Sequence, residues 1–329
     1  MIRKLLRTPF FFVFSAMLAL AGPAGAQALD KVTVAGWGPA ISEITNLLAE
    51  PDKGFFKAKG IELDFIPGTG GGSAIVNMLS GQADIAFTDP SSLFLALDKG
   101  EKLVAIYNIY PQNVFNVVSP KSRNLTKPSD LKGKRIGVYS LNSGTRQNLQ
   151  VLLAQAGLSE ADISLEVTGL LNFAPVIQGQ VDATSATDTG LFVGRMKGLG
   201  DVNVIEVRDY LNLPSDFFVV TEEMYNTKKE LLRRFLEAYR DSAAWMIAKP
   251  VEAAKIAVTR AINGKDEKVN LGIIKLRNLS AISPTTAKQG LGAFDIEPLE
   301  QGVATFKLLG LIKNDIDIRK VVRSDLLPK

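Results

Sequence analysis

The signature Gly81-Gln82-Ala83-Asp84 returns as Gly179-Gln180-Val181-Asp182, each time ahead of an apolar, strand-like run. What precedes the two copies agrees in kind. An apolar β-like run, 32–35 in one copy and 135–138 in the other, leads through a small-residue loop into a helical stretch. A short alternating strand follows, 61–66 and 163–167, then a loop, a short helix and the Gly-Gln-x-Asp turn. Chance repeats a tetrapeptide readily, but not the order of elements around it. Strand, helix, strand, helix, strand is the βαβαβ order, which folds as a parallel sheet covered by helices through right-handed crossovers. Two such units predict an α/β protein of two lobes, each a mainly parallel sheet flanked by helices, with a ligand cleft between them.

The two units do not fill the chain. Arg3, Lys4 and Arg7, an apolar run over 10–21 and the small-residue sites Ala24-Gly25-Ala26 and Ala26-Gln27-Ala28 read as a secretory signal peptide, 1–28. The run is shorter than a membrane span needs. With no cysteine at the cleavage site the product is not lipid-anchored, so the expected location is the periplasm of a bacterium with two membranes. The leader takes three of the 38 basic residues and none of the 34 acidic ones, leaving 35 against 34. That near-neutral remainder makes no case for nucleic acid, which calls for a basic stripe. The polar stretch 121–134 and strand-like runs at 114–120 and 217–220 divide the remainder into lobe 1 (29–117), an inserted lobe 2 (118–216) and a second part of lobe 1 (217–329). From Lys228 on, Leu231, Leu232, Phe235, Leu236, Tyr239 and Ala243 recur at helical spacing.

Chemistry is narrowed by what the composition lacks. No cysteine and no histidine occur in 329 residues, which removes disulfides, Cys/His metal sites, Ser-His-Asp triads and histidine bases. No catalytic residue, metal ligand or cofactor is expected. Candidate ligand contacts come from strand ends and helix starts. After the 61–66 strand, Gly70, Gly71 and Ser73 sit in a glycine-rich loop that enters a helix, where bare amides accept anions or polar oxygens. A nucleotide P-loop fails for want of Gly-Lys-Ser/Thr, a dinucleotide fingerprint lacks its third glycine at Ser73, and a plain tight turn remains open. The matching place in the second copy holds Tyr139, Ser143, Gly144 and Thr145. Trp37 follows the first strand; Thr88 and Asp89, and in the other copy Thr187 and Asp188, end strands and start helices. Asn108 and Phe217 are placed by position. For Asp89 and Asp188 the competing role is helix capping, and for Trp37 it is core packing.

The combined order of these motifs resembles the type II periplasmic substrate-binding proteins of ABC importers, in the branch of sulfonate, taurine, nitrate and thiamine-pyrimidine binders. The carriers are the 68–74 loop, the segment 79–86, the run 130–138 continuing to Ser143-Gly144-Thr145, and 179–183. The resemblance spans essentially the whole chain after the leader. It implies the periplasmic-binding-protein type II fold, two lobes closing on a small solute, and docking of the closed form on a permease in the inner membrane. By the same resemblance the first-lobe loop falls on Gly70 to Ser73, the strand end on Thr88 and Asp89, and the second-lobe helix start on Ser143 to Thr145. Relatives often carry a Trp-Glu-Pro-like sequence after the second Gly-Gln-x-Asp strand, where this chain has Ala186-Thr187-Asp188-Thr189. The expected function is therefore a monomeric, non-enzymatic binder of a small polar or anionic solute of sulfonate, carboxylate or pyrimidine type, with Trp37, Tyr139 and Phe217 suited to an aromatic one. The alternatives are a soluble receptor for a membrane sensor or another transporter class, and a pyrimidine-precursor synthase on the same fold.

Overall fold

The computed structural model describes residues 28–170 and 173–328, so the expected leader lies, apart from Ala28, outside the described residues. In chain order the strands are β1 (Asp30–Ala35), β2 (Ile61–Ile66), β3 (Ile85–Thr88), β4 (Leu103–Tyr110), β5 (Phe115–Pro120), β6 (Arg135–Val138), β7 (Ser164–Val167), β8 (Ala183–Thr187), β9 (Val202–Glu206) and β10 (Asp216–Thr221). They form two sheets, ordered β2-β1-β3-β10-β4 and β7-β6-β8-β5-β9. The orders correspond strand for strand, as the duplication predicts. In each, the first three strands pair in parallel and the fourth runs against its neighbours on both sides. That fourth strand is the one delivered from the other lobe: β10 enters the first sheet and β5 the second.

The repeated signature has the same physical job in both lobes. Gly81 and Gly179 take left-handed conformations, φ 76° and 71°, that close the preceding short helix. The next two amides turn back onto one carbonyl, Gln82 and Ala83 onto Asn77, Gln180 and Val181 onto Pro175. The aspartate then clips the turn to the first strand of its sheet. Thr33 N donates to Asp84 Oδ2 at 2.8 Å, and Arg135 N donates to Asp182 Oδ2 at 2.9 Å.

Alternation along β10 divides the first lobe's core into two layers. Phe217 and Val219 pack with Phe94, Leu299 and Phe306 on one face; Phe218 and Val220 pack with Phe235, Leu236 and Tyr239 on the other. The helix Lys229–Ala248 supplies that second layer through the expected stripe, with Tyr239 edge-on to Phe218 at 4.6 Å between ring centroids. The edge strand β4 is buried along its whole length, with Ala105 bridged to Val322 and Asn108 to Gly292. The second sheet has its own core around Leu131, Ile136, Val138, Leu149 and Leu152.

Two links, β4 to β5 and β9 to β10, join the lobes. They are laced together: Ser215 N donates to Tyr110 O at 2.8 Å, Ser215 Oγ to Gln112 O at 2.6 Å, and Val114 N to Ser215 Oγ at 3.1 Å. The expected divisions at 117/118 and 216/217 fall inside β5 and β10. All of β5 pairs in the second sheet and all of β10 in the first, β10 with two register shifts against β4, between Asp216 and Phe217 and between Phe218 and Val219.

Candidate functional site

Between the lobes lies a cavity lined from both sides. The first lobe contributes Trp37 after β1, Gly70 and Gly71 at the start of the helix Gly71–Leu79, Asp89 after β3 and Asp216 at the start of β10. Glu43, from the short turn Ser42–Ile44, and Arg277, from the helix Glu267–Ser280, complete that wall. The second lobe contributes Phe115 at the start of β5, Tyr139 after β6, the helix entrance Ser143-Gly144-Thr145, Leu170 and Phe173 after β7, and the end of β8 through Thr187. Strand ends and helix starts meeting in a crevice are the usual ligand position of α/β folds.

The lobes touch on two sides of this cavity. On one, Tyr139 Oη donates to Gly68 O at 3.1 Å, Gly72 N donates to Asn142 O at 3.2 Å, and the Ser140 hydroxyl donates to Thr69 O. On the other, Thr189 Oγ1 donates to Glu43 Oε1 at 2.6 Å, and Arg277 pairs with Asp188 of the second lobe and with Glu43 of its own, Nε to Oε2 3.2 Å. The space left between them is about 60 Å³. That is far below the volume of an ordinary small-molecule pocket, so the arrangement is a closed one and entry requires the lobes to part.

Nine of the expected contacts line the cavity: Trp37, Gly70, Gly71, Asp89, Tyr139, Ser143, Gly144, Thr145 and Thr187. Several have structural duties as well. Asp89 caps its helix, accepting from Ser92 N at 2.9 Å and from Ser92 Oγ at 2.8 Å, and burial pushes its carboxyl above the usual range against those bonds. Ser143 Oγ donates to Ser140 O at 2.7 Å, and Thr145 Oγ1 accepts from Tyr139 N at 3.1 Å, so these hydroxyls tie their own loop. Thr187 Oγ1 accepts from Gly190 N at 3.3 Å. Burial raises the Tyr139 phenol above its ordinary value.

Five expected contacts are placed elsewhere. Ser73 lies off the cavity wall and closes the glycine loop, accepting from Thr69 N at 2.9 Å and donating to Gly70 O at 2.8 Å. Thr88 is buried and donates to Gly71 O at 3.0 Å. Asn108 is inside the sheet and donates to Ala293 O at 3.3 Å. Phe217 is wholly buried against Phe294, since its register on β10 turns it into the core. Asp188 stands behind the wall in the interlobe ion pair with Arg277.

The glycine loop also differs from its expected chemistry. A Cβ on Gly71 would come within 2.1 Å of Asp89 Oδ2 and 2.7 Å of Thr88 Oγ1, and one on Gly70 within 2.1 Å of Asn142 O in the other lobe. These glycines are bare because Asp89 and the opposite lobe occupy the space; the Asp89 carboxylate itself bonds to Ser92, at the start of its own helix.

Sequence reasoning missed Glu43, Asp216, Arg277, Phe115 and Phe173. Asp216 and Phe115 had a signal, because each begins a strand recognised as an interlobe crossing. Glu43, Phe173 and Arg277 had none, since they reach the cleft from segments with no strand-end pattern. Among the described residues no group of three or more Asp or Glu is placed to hold a metal ion.

The comparisons agree with this architecture. A family model described as NMT1/THI5 like matches residues 41–253. The riboflavin-binding protein RibY of Chloroflexus aurantiacus is 25% identical over 330 residues, covering 95% of this chain and 91% of that protein. The 4-amino-5-hydroxymethyl-2-methylpyrimidine phosphate synthase THI12 of Saccharomyces cerevisiae is 23% identical over 252 residues, 69% of this chain and 70% of that one. Among solved structures, the alkanesulfonate-binding protein SsuA of Xanthomonas axonopodis pv. citri bound to MOPS superposes with a TM-score of 0.69 at 16% identity, covering 89% of this chain and 98% of that one. The fold is thus the two-lobed periplasmic-binding-protein fold.

Proposed function

The chain belongs to the NMT1/THI5-like family, and from that premise we propose that it is a solute-binding protein that closes on a small organic molecule outside the cytoplasmic membrane and delivers it to the permease of an ABC importer. The observation that carries this reading is the cavity held shut by contacts on two sides, with the lobes joined by only two laced links. Such a joint favours opening and closing about a ligand. The relatives support it in kind: RibY is named for binding riboflavin and SsuA for binding alkanesulfonates. The reading includes secretion through the 1–28 leader and a monomeric state that leaves the lobes free.

The ligand class is a small polar organic solute of sulfonate, carboxylate or pyrimidine type. A thermal-shift screen of residues 29–329 against sulfonates, carboxylates, amino acids, nitrate, pyrimidines and flavins tests it, because a ligand that binds only the folded state raises the melting temperature. At a hundredfold excess over Kd the gain is about 2.7 kcal/mol. A natively folded chain that no member of the panel stabilises contradicts the reading.

The yeast relatives' name raises a second reading, a pyrimidine-forming enzyme. The chain contains no histidine, so no imidazole base or nucleophile is available for such chemistry. Mass spectrometry of a bound solute after prolonged incubation distinguishes the two: delivery predicts an unchanged mass, and catalysis a product.

A further inference from the structure

Asp216 stands at the second interlobe link, 8% exposed and on the cavity wall. Every other acidic group on the cavity wall has a partner: Asp89 caps a helix, and Glu43 takes Thr189 and Arg277. Among the described residues nothing hydrogen-bonds to or pairs with the Asp216 carboxyl. A carboxyl taken from water and left unpaired is costly, and such groups are retained where something else supplies the partner. The Trp37 side chain lines the same cavity, though its indole N–H is buried away from it without an acceptor.

Charge at the cavity points the same way. Arg277 is the cation of the lining, and it is held between Glu43 and Asp188. At the start of the helix Gly71–Leu79 the Asp89 carboxyl lies against the open side of Gly71, and Gly72 N is given to Asn142 O. An anion entering here meets the carboxyls of Asp89, Asp216 and Glu43 with no free cation among the described lining residues. What the wall lacks is a donor for Asp216, in a cavity also lined by the rings of Phe115, Tyr139 and Phe173.

We propose that Asp216 is the specificity-determining residue of this site, binding an N–H edge of a flat, uncharged or protonated nitrogen heterocycle, and that the site rejects anionic sulfonates and carboxylates. This rests on the solute-binding reading and narrows its ligand class. Burial, with Asp89 and Glu43 close by, raises the proton affinity of Asp216 well above the ordinary 3.8, which suits a shared proton with such an edge.

The test is calorimetric titration of residues 29–329 and of Asp216→Asn with cytosine and riboflavin on one side, and MOPS and benzoate on the other, with melting curves of both unliganded proteins. The expected result is that the native chain binds a heterocycle and neither anion. Asp216→Asn, the same shape without the charge, weakens that binding about 10- to 100-fold and raises the unliganded melting temperature. A purely structural role for Asp216 predicts the opposite melting shift. Binding of MOPS or benzoate by the native chain, or unchanged heterocycle affinity in Asp216→Asn, overturns the proposal and leaves the solute-binding reading standing. Binding of neither set overturns the ligand class. The solute-binding reading falls with it only if the broader thermal-shift panel also finds no ligand.

Discussion

At the residue scale the site is built by groups that occupy one another's space. Gly71 is bare because Asp89 is there, so Gly71→Ala drives a methyl into the Asp89 carboxyl and costs about 1–3 kcal/mol by overpacking; urea denaturation of the unliganded protein measures it. Asp216 has the reverse character, a buried unpaired carboxyl whose neutralisation is expected to stabilise. Its proton affinity is higher folded than unfolded, so the folded state holds more protons above 3.8. Its contribution is therefore fully present below 3.8 and is lost as pH rises through the folded value. The stability gap between Asp216→Asn and the native protein is expected to widen with rising pH above about 3.8, read from melting curves across a buffer series. A gap independent of pH contradicts the assigned burial of the charge. Asp89 carries the same sign, because burial lifts its carboxyl too, and its bonds from Ser92 oppose that shift.

At the element scale the Gly-Gln-x-Asp turn is a reusable clip. It returns the chain from a short helix and fastens it to the first strand of the sheet, through Asp84 in one lobe and Asp182 in the other. Asp182 is the better anchored: burial lifts its carboxyl, yet the Arg135 N–H and the guanidinium groups of Arg135 and Arg123 together hold it below 3.8. Asp182→Ala leaves the Arg135 amide short of its acceptor and is expected to cost about 1–3 kcal/mol, seen as a lower denaturation midpoint. In the first lobe β10 carries both core layers, so Phe218→Ala, at the meeting point of Phe87, Phe235 and Tyr239, is expected to cost about 3–5 kcal/mol.

At the scale of the whole molecule, one interlobe ion pair gives a handle on closure. The Arg277 to Asp188 pair joins the helix Glu267–Ser280 of the first lobe to the helix Asp188–Met196 of the second, with Arg277 only 1% exposed. Asp188→Asn removes the charge from the second lobe and leaves Arg277 with Glu43 in the first. The open arrangement then gains relative to the closed one, and any ligand that binds only the closed form loses apparent affinity in proportion. Small-angle scattering is expected to show a larger radius of gyration for unliganded Asp188→Asn than for the native chain, and titration about tenfold weaker binding with stability nearly unchanged. Equal radii would show that other contacts hold the lobes together.

The duplication, the order of elements, the crossing strands and the helical stripe from Leu231 onward were all legible in the sequence. Each follows from periodicity, turn chemistry or capping, which act over a few residues of chain. Nine cavity residues were legible for the same reason, since strand ends and helix starts of an α/β fold come together by topology. The errors came where local pattern does not set direction: Phe217 lies one residue from Asp216, yet alternation along β10 buries it in the core while Asp216 faces the cleft. Only the tertiary structure decided that Glu43 and Arg277, distant in sequence, would bracket the lobes, that the Asp89 carboxyl would pack against the bare Gly71, and that Asp216 would be left without a partner. Those outcomes depend on which surfaces meet when two separately folded lobes close, and short-range rules carry no information about that.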